Sequence, residues 1–264
     1  MFTLPSYGVY GDSNEKMYFG ILVTMKNGVP KVRVILASAS PARRQTLESA
    51  GLCPEVRVSA VDEDALLARC EAQGLGPESK VLVLAQAKAR QVAAAFGQDG
   101  NAGVAGTAGA GGTPGADLAG ENPLSTLVIG CDSMLEFHGQ VLGKPHDPQV
   151  ALARVRALSG DAGVLHTGHW MIRLDVQGRM IGEEGNTEST RVFFAEFSHA
   201  EAQAYVDSGE PLEVAGSFTI DGLGGAFIRG IEGDPHNVVG ISLPLLRRLA
   251  QRLEVFWPDL WAGV

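Results

Sequence analysis

Long apolar runs, paired cysteines and a basic surplus are all missing from this chain, and each absence excludes a class of protein. No segment approaches the length needed to span a bilayer. The 3 cysteines, Cys53, Cys70 and Cys131, are scattered and form no CxxC pair. Neither a disulfide framework nor a zinc site is indicated, and a reducing compartment fits best. Lysine plus arginine total 21 against 30 acids, a formal net charge of −9, which argues against non-specific binding to nucleic acid or to an anionic membrane. No basic start followed by a long apolar stretch marks a secretory signal, so a cytoplasmic location is expected. A Walker A loop is missing too, because Gly143-Lys144 runs into Pro145 without the upstream glycine spacing. Any phosphate site must therefore be a local basic cluster in an acidic body.

What is present points to one α/β domain. Residues 1–30 show no clear periodicity and read as a poorly structured extension; the domain proper is expected over 31–264. An apolar strand from Val32 to Ala37 runs into Ser38, Ser40 and Pro41, which open a helix ending near Gly51. A short strand over Val56–Val61 leads into Asp62-Glu63-Asp64. Helical spacing of Val81, Leu82, Leu84, Ala85, Ala89, Val92 and Phe96 predicts a helix from Glu78 to Phe96. From 98 to 123 the chain is rich in Gly, Ala and Thr and cannot bury enough surface to offset chain entropy, so a disordered insert is expected. The continuous apolar run Thr126–Cys131 predicts a strand covered on both faces, with Asp132 at its C-terminal end. A hairpin turning at His138-Gly139, a helix from Pro148 capped by Asp147, and antiparallel strands over Val164–Leu174 and Glu188–Phe197 follow. A capping box at Ser198 and Glu201 opens another helix, and a last one spans Ser242–Leu253. The fold class is α/β, α+β mixed, with a mixed sheet.

The chemistry lies in loops and on one inward helix face. Arg43 and Arg44 in the first turn of a helix oppose its dipole, which either an anion or full solvation would relieve. Lys88 falls within an apolar arc and must either snorkel out or meet an anion. Glu63 and Asp132 are carboxylates of the kind magnesium requires, and Lys144 is a further cation suited to polyphosphate oxygens. Gly222–Gly225 fits a tight turn as well as a phosphate loop. Cys131, ending an apolar strand, is expected to be a buried structural thiol. The histidines, His138, His146, His166, His169 and His236 among them, have no metal-ligand spacing. Asn237 suits substrate binding or a turn equally well.

Together the segments L-A-S-A-S-P-A-R-R at 36–44, V-D-E-D at 61–64, L-A-Q-A-K-A at 84–89 and I-G-C-D-S at 129–133 resemble the Maf family of nucleoside triphosphate pyrophosphatases. G-K-P at 143–145, L-S-G at 158–160, H-T-G at 166–168, A-G-S-F-T-I-D-G at 215–222 and N-V-V-G at 237–240 continue the match to the C-terminus, and the variant resembles actinobacterial members. The resemblance implies an inosine-triphosphatase-like fold, with an elongated mixed β-sheet flanked by helices in two lobes around a central cleft. It implies hydrolysis of the α–β phosphoanhydride of a nucleoside triphosphate, non-standard ones included, to a nucleoside monophosphate and pyrophosphate, with Mg2+ or Mn2+ and as a homodimer. Its proton-accepting aspartate falls on Asp132, its acidic metal-site residue on Glu63, and its phosphate-binding lysines on Lys88 and Lys144. Ser38, Ser40 and Arg43 fall on its phosphate-binding opening segment. Asp132 suits either base or metal ligand. At the specificity positions the chain has Ala42, Ser133 and Asp221, which match neither the dTTP/UTP subfamily nor the methylated-GTP one. An alternative is a nucleotide-binding regulator of septum formation with little turnover. Neither reading calls for nucleic acid or a membrane.

Overall fold

The computed structural model describes residues 31–99 and 125–262. The N-terminal extension and most of the Gly/Ala-rich insert lie outside the described residues; Gln98 and Asp99, expected to begin the insert, instead continue a helix. Strand β1 (Val32–Leu36) leads to α1 (Pro41–Ser49), the two-residue β2 (Glu55–Val56), α2 (Glu63–Ala72) and α3 (Pro77–Asp99). There follow β3 (Ser125–Phe137), β4 (Gln140–Leu142), α4 (Pro148–Leu158), β5 (Ala162–Leu174), β6 (Met180–Phe194) and α5 (His199–Asp207). Three short 3-10 turns then precede β7 (Ile228–Glu232), α6 (Pro235–Val239) and α7 (Leu243–Arg252). Among the described residues no helix is long and apolar enough to cross a membrane.

The strands form a mixed sheet in the order β2-β1-β3-β5-β6-β7, with β4 also on β3. This is the expected mixed sheet flanked by helices, but three elements differ from the sequence reading. β3 does not end at Cys131: it runs 13 residues as one strand, so Asp132 stands in its middle. The 55–61 segment pairs over only two residues, and α2 forms where a loop was expected, with Asp62 as N-cap accepting from the Ala65 N–H. The tail's glycine-rich run conceals β7 and the 3-10 turns, whose length is too short to show a period.

Alternation along β3 explains the layers. Leu127, Ile129 and Cys131 point to one face and pack with Leu47 of α1 and Leu245, Leu246 and Leu249 of α7. Val128 points to the other, against Ala89 and Val92 of α3. Farther along, Leu135 and Phe137 join Leu165, Val192 and Phe194 in a separate cluster beneath Phe218 and Val238. The long strands thus carry a core at each end, with α4 and α5 packed together on the second.

Helix α3 lies directly on β3 and β5 because two facing positions are glycine. A Cβ at Gly130 would meet the Ala85 carbonyl and Ala89, and one at Gly168 would meet the Val81 carbonyl. Replacing Gly168 by Ala therefore presses a methyl on helix backbone that cannot rotate away. Gly168→Ala is expected to cost about 3 kcal/mol, read as a lower urea midpoint, whereas Gly230→Ala, with nothing near its added methyl, leaves the midpoint unchanged.

Candidate active site

One edge of β3 is paired along nearly its whole length by β5, and the other is not. On that second edge β1 pairs with Ser125–Ile129 and β4 with Leu135–Phe137, leaving residues 130–134 without a strand partner. Asp132 occupies this gap. Two residues along from Gly130, it shares the face covered by α3, and it is only 9% exposed.

Lys88 meets it there. On α3 the buried stripe Val81, Leu84, Ala85, Ala89 and Val92 carries Lys88 inward, where it is 7% exposed. Its Nζ lies 2.6 Å from Asp132 Oδ1 and 2.8 Å from Glu63 Oε1. Glu63 is the first residue of α2, delivered by the Asp62 cap. Of the two fates open to Lys88 on sequence, it takes the anionic partner rather than snorkelling. Burial pushes the Asp132 carboxyl above its usual range, while Lys88 and Arg43 pull it back. Two carboxylates converge on one ammonium, with the Arg43 guanidinium as the second cation near Asp132.

Arg43 works in the same gap. β1 leaves the ladder after the Ala37 N–H donates to the Ile129 carbonyl. The next carbonyl on that edge, Cys131, accepts instead from Arg43 Nη1 at 2.9 Å. Nη1 also donates to Ser38 Oγ, Nε to the Gly240 carbonyl and Nη2 to Ser133 Oγ. Four of the five guanidinium hydrogens are thus used within the protein, leaving one for a ligand. Arg44 pairs with Glu48 on the helix surface. The conflict of two arginines with the α1 dipole is met by protein groups, neither by solvent alone nor by a required anion. Ser40 caps the helix by accepting from the Arg43 N–H, so Ala42 supplies the free amide of that turn. Ser38 and Ser40 accept through their oxygens, and both hydroxyl hydrogens stay available to an anion.

The remaining sequence candidates divide. Lys144 is exposed on the loop after β4, two residues beyond Leu142, whose ladder partner Leu135 lies three past Asp132. Ala42 and Asp221 line one cavity of about 330 Å³ with Gln45, Thr46, His236 and Val239. That cavity adjoins the gap, since Ala42 and Val239 neighbour the Arg43–Gly240 bond. Ser133 does not line it. Its Oγ, accepting from Arg43, lies 2.9 Å from Thr167 Oγ1, which donates to the Asn237 carbonyl.

Other polar residues are structural. Cys131 is fully buried, and burial pushes its thiol up to about 12. His169 is pushed down to about 3 by burial; it donates from Nδ1 to the Thr167 carbonyl and accepts the Ser242 N–H at Nε2, tying β5 to α7. Asn237 is buried, donating to the Leu165 carbonyl and Thr190 Oγ1. The H-T-G and N-V-V-G segments flagged Thr167 and Gly240, but no periodicity says which atoms they offer to Ser133 and Arg43.

Comparison with known proteins shows the family. A family model described as "Maf-like protein" matches residues 33–253. The nucleoside triphosphate pyrophosphatase of Mycolicibacterium gilvum (strain PYR-GCK) is 45% identical over 229 residues, covering 87% of this chain and 98% of that protein. Those of Nocardia farcinica (strain IFM 10152) and Leifsonia xyli subsp. xyli (strain CTCB07) are 45% and 44% identical, covering 86% and 88% of this chain and 96% and 99% of theirs.

Removing Lys88 strands Asp132 as an uncompensated buried charge. Lys88→Met is expected to lower stability by about 3–5 kcal/mol. Adding Asp132→Asn to that variant recovers part of the loss, and the double-mutant cycle by chemical denaturation shows a coupling above about 1 kcal/mol.

Proposed function

The chain belongs to the Maf family, and from that premise we propose that it is a nucleoside triphosphate pyrophosphatase whose reaction takes place at the β3 gap. Water adds to the α-phosphorus, the α–β bridging oxygen leaves with pyrophosphate, and a nucleoside monophosphate remains. The observation that carries this reading is the convergence of Asp132 and Glu63, from distant parts of the sequence, on the buried Lys88.

Each residue has a task the geometry supports. Asp132, made more basic by burial, takes the proton that the attacking water loses. Lys88 holds that carboxylate in place and contributes fixed positive charge. Lys144, on the loop after β4, and the free Arg43 N–H offset charge on the departing pyrophosphate. The Ser38 and Ser40 hydroxyls and the Ala42 amide suit phosphate oxygens at the helix start. The cavity holding Ala42 and Asp221 lies where the base would follow from phosphates so placed. Ala42 presents only a methyl there, and Asp221 only hydrogen-bond acceptors.

The donor set also fits a divalent cation. Among the described residues no cluster of three or more ligating side chains occurs, but Mg2+ is commonly held by one or two carboxylates, with waters and substrate phosphates completing its shell. Glu63 and Asp132, already directed at the same ammonium, are the residues that would hold Mg2+ or Mn2+. When bound, the ion supplies neutralisation of phosphate charge and a more acidic water.

The test is pyrophosphate release from a panel of ribo- and deoxyribonucleoside triphosphates with Mg2+ or Mn2+, with and without chelator. Release that chelator abolishes is expected, and no release from any triphosphate refutes the reading. Asp132→Asn should lower kcat by about two to four orders of magnitude with an unchanged circular dichroism spectrum; near-normal turnover removes Asp132 from the chemistry.

A further inference from the structure

The loop that carries Asp221 has little packing at its tip. Residues 219–224 belong to no strand; Ile220 packs on the Phe218 cluster and Leu223–Gly224 open a 3-10 turn, but Asp221, Gly222 and Leu223 are all exposed. One internal backbone bond, from the Gly225 N–H to the Gly222 carbonyl, closes a turn at its far end. A loop so built should sample many conformations, because little burial offsets its backbone entropy.

What holds the tip is the side chain of Glu210. Gly209, in the left-handed region at φ 80°, ends the α5 region and starts a 3-10 turn at Glu210. The Glu210 carboxylate then accepts four hydrogen bonds, three of them from the loop. The Leu223 N–H donates to Oε2 at 2.9 Å, the Gly224 N–H to Oε1 at 3.0 Å, and Thr219 Oγ1 to Oε1 at 2.5 Å. The fourth comes from the buried Tyr205 hydroxyl of α5 at 3.1 Å, and that hydroxyl accepts the Thr219 N–H in turn. The approach is close enough to need glycine: a Cβ at Gly222 would meet Glu210 Oε2, and one at Gly224 would meet the Tyr205 hydroxyl. The loop is wrapped on one anion, with Asp221 at its tip and its other wall, across the cavity, formed by Ala42 and Gln45 of α1.

We propose that Glu210 is a positioning residue for nucleotide selection, fixing the Asp221 loop so that the cavity presents its acceptor carboxylate at a defined place. This rests on the reading that the cavity takes the nucleoside end of the substrate. Glu210 touches no reacting atom; it acts through Leu223, Gly224 and Thr219. Bases differ in the N–H groups they offer to an acceptor, so Asp221 discriminates among them only while the loop is held. Two charge-assisted bonds from backbone amides are the part that an amide side chain cannot reproduce, because an NH2 group faces one of those N–H donors.

The experiment compares Glu210→Gln with wild type in steady-state kinetics on the triphosphate panel, alongside amide hydrogen exchange. The expected result is KM raised about tenfold for the best substrate, kcat within about twofold, and a narrower spread of kcat/KM across the panel. Exchange at Leu223 and Gly224 should rise, while that of 125–137 stays as in wild type. Should Glu210→Gln not fold, Thr219→Val and Tyr205→Phe each remove one donor to the same carboxylate and should move KM and the spread in the same direction by a smaller factor. Unchanged KM and an unchanged ranking of substrates overturn the proposal, even if thermal stability falls, and so do Leu223 and Gly224 amides that exchange rapidly in wild type. A wild-type protein that turns over no triphosphate fails the reading of the preceding section instead, and the exchange data still decide whether Glu210 holds the loop.

Discussion

An ammonium group under an apolar helix dictates the rest of this structure. Lys88 sits on the stripe of α3 that packs the sheet, and a cation in that place is tolerable only when an anion meets it at hydrogen-bond distance. Asp132 does so at 2.6 Å and Glu63 at 2.8 Å. Meeting that demand requires α3 to lie almost on the strands, which Gly130 and Gly168 permit by having no side chain. It also requires the start of α2 to be held beside α3, which Leu66 and Leu67 accomplish by packing against Val81, Leu84 and Met134. The close helix–sheet packing and the acidic centre are thus one arrangement. Its consequence is chemical: the water exclusion that costs stability also makes Asp132 a better proton acceptor.

The second organising fact is an interruption. A strand edge left open is normally a liability, with unpaired carbonyls that need partners. Here β1 and β4 pair with opposite ends of β3, and the stretch between them is stitched by the Arg43 fork to the Cys131 carbonyl, Ser133 and Gly240. A planar guanidinium can do this where a lysine cannot, because its several donors point in fixed directions. The interruption exposes the middle of β3 to both lobes, so groups following β1 and groups following β4 reach it from opposite sides.

Much of this was legible in the residues. The apolar stripe of α3, the strand cores at Val32–Leu36 and Thr126–Cys131, the caps at Ser40, Asp147 and Ser198, and the odd placement of Lys88 follow from periodicity and from the known demands of helix ends. The short elements were not legible. α2, β7 and α6 are too brief or too polar to impose a period, and the extension of β3 through Asp132 defied the expectation that a polar residue closes an apolar strand. The two arginines at 43 and 44 looked alike, yet one is a half-buried strut and the other a surface partner of Glu48.

The sequence by itself determined which groups must find partners: a lysine among apolar residues, a carboxylate after an apolar run, an arginine at a helix start. Local patterning is enough for that, because burial and capping act over a few neighbouring residues. Only the tertiary structure decided who those partners are. Asp132 and Lys88 are 44 residues apart and Arg43 and Gly240 are 197 apart, and no local rule carries information over such distances. It is strand order, the break between β1 and β4, and the fit of α3 on two glycines that bring them together.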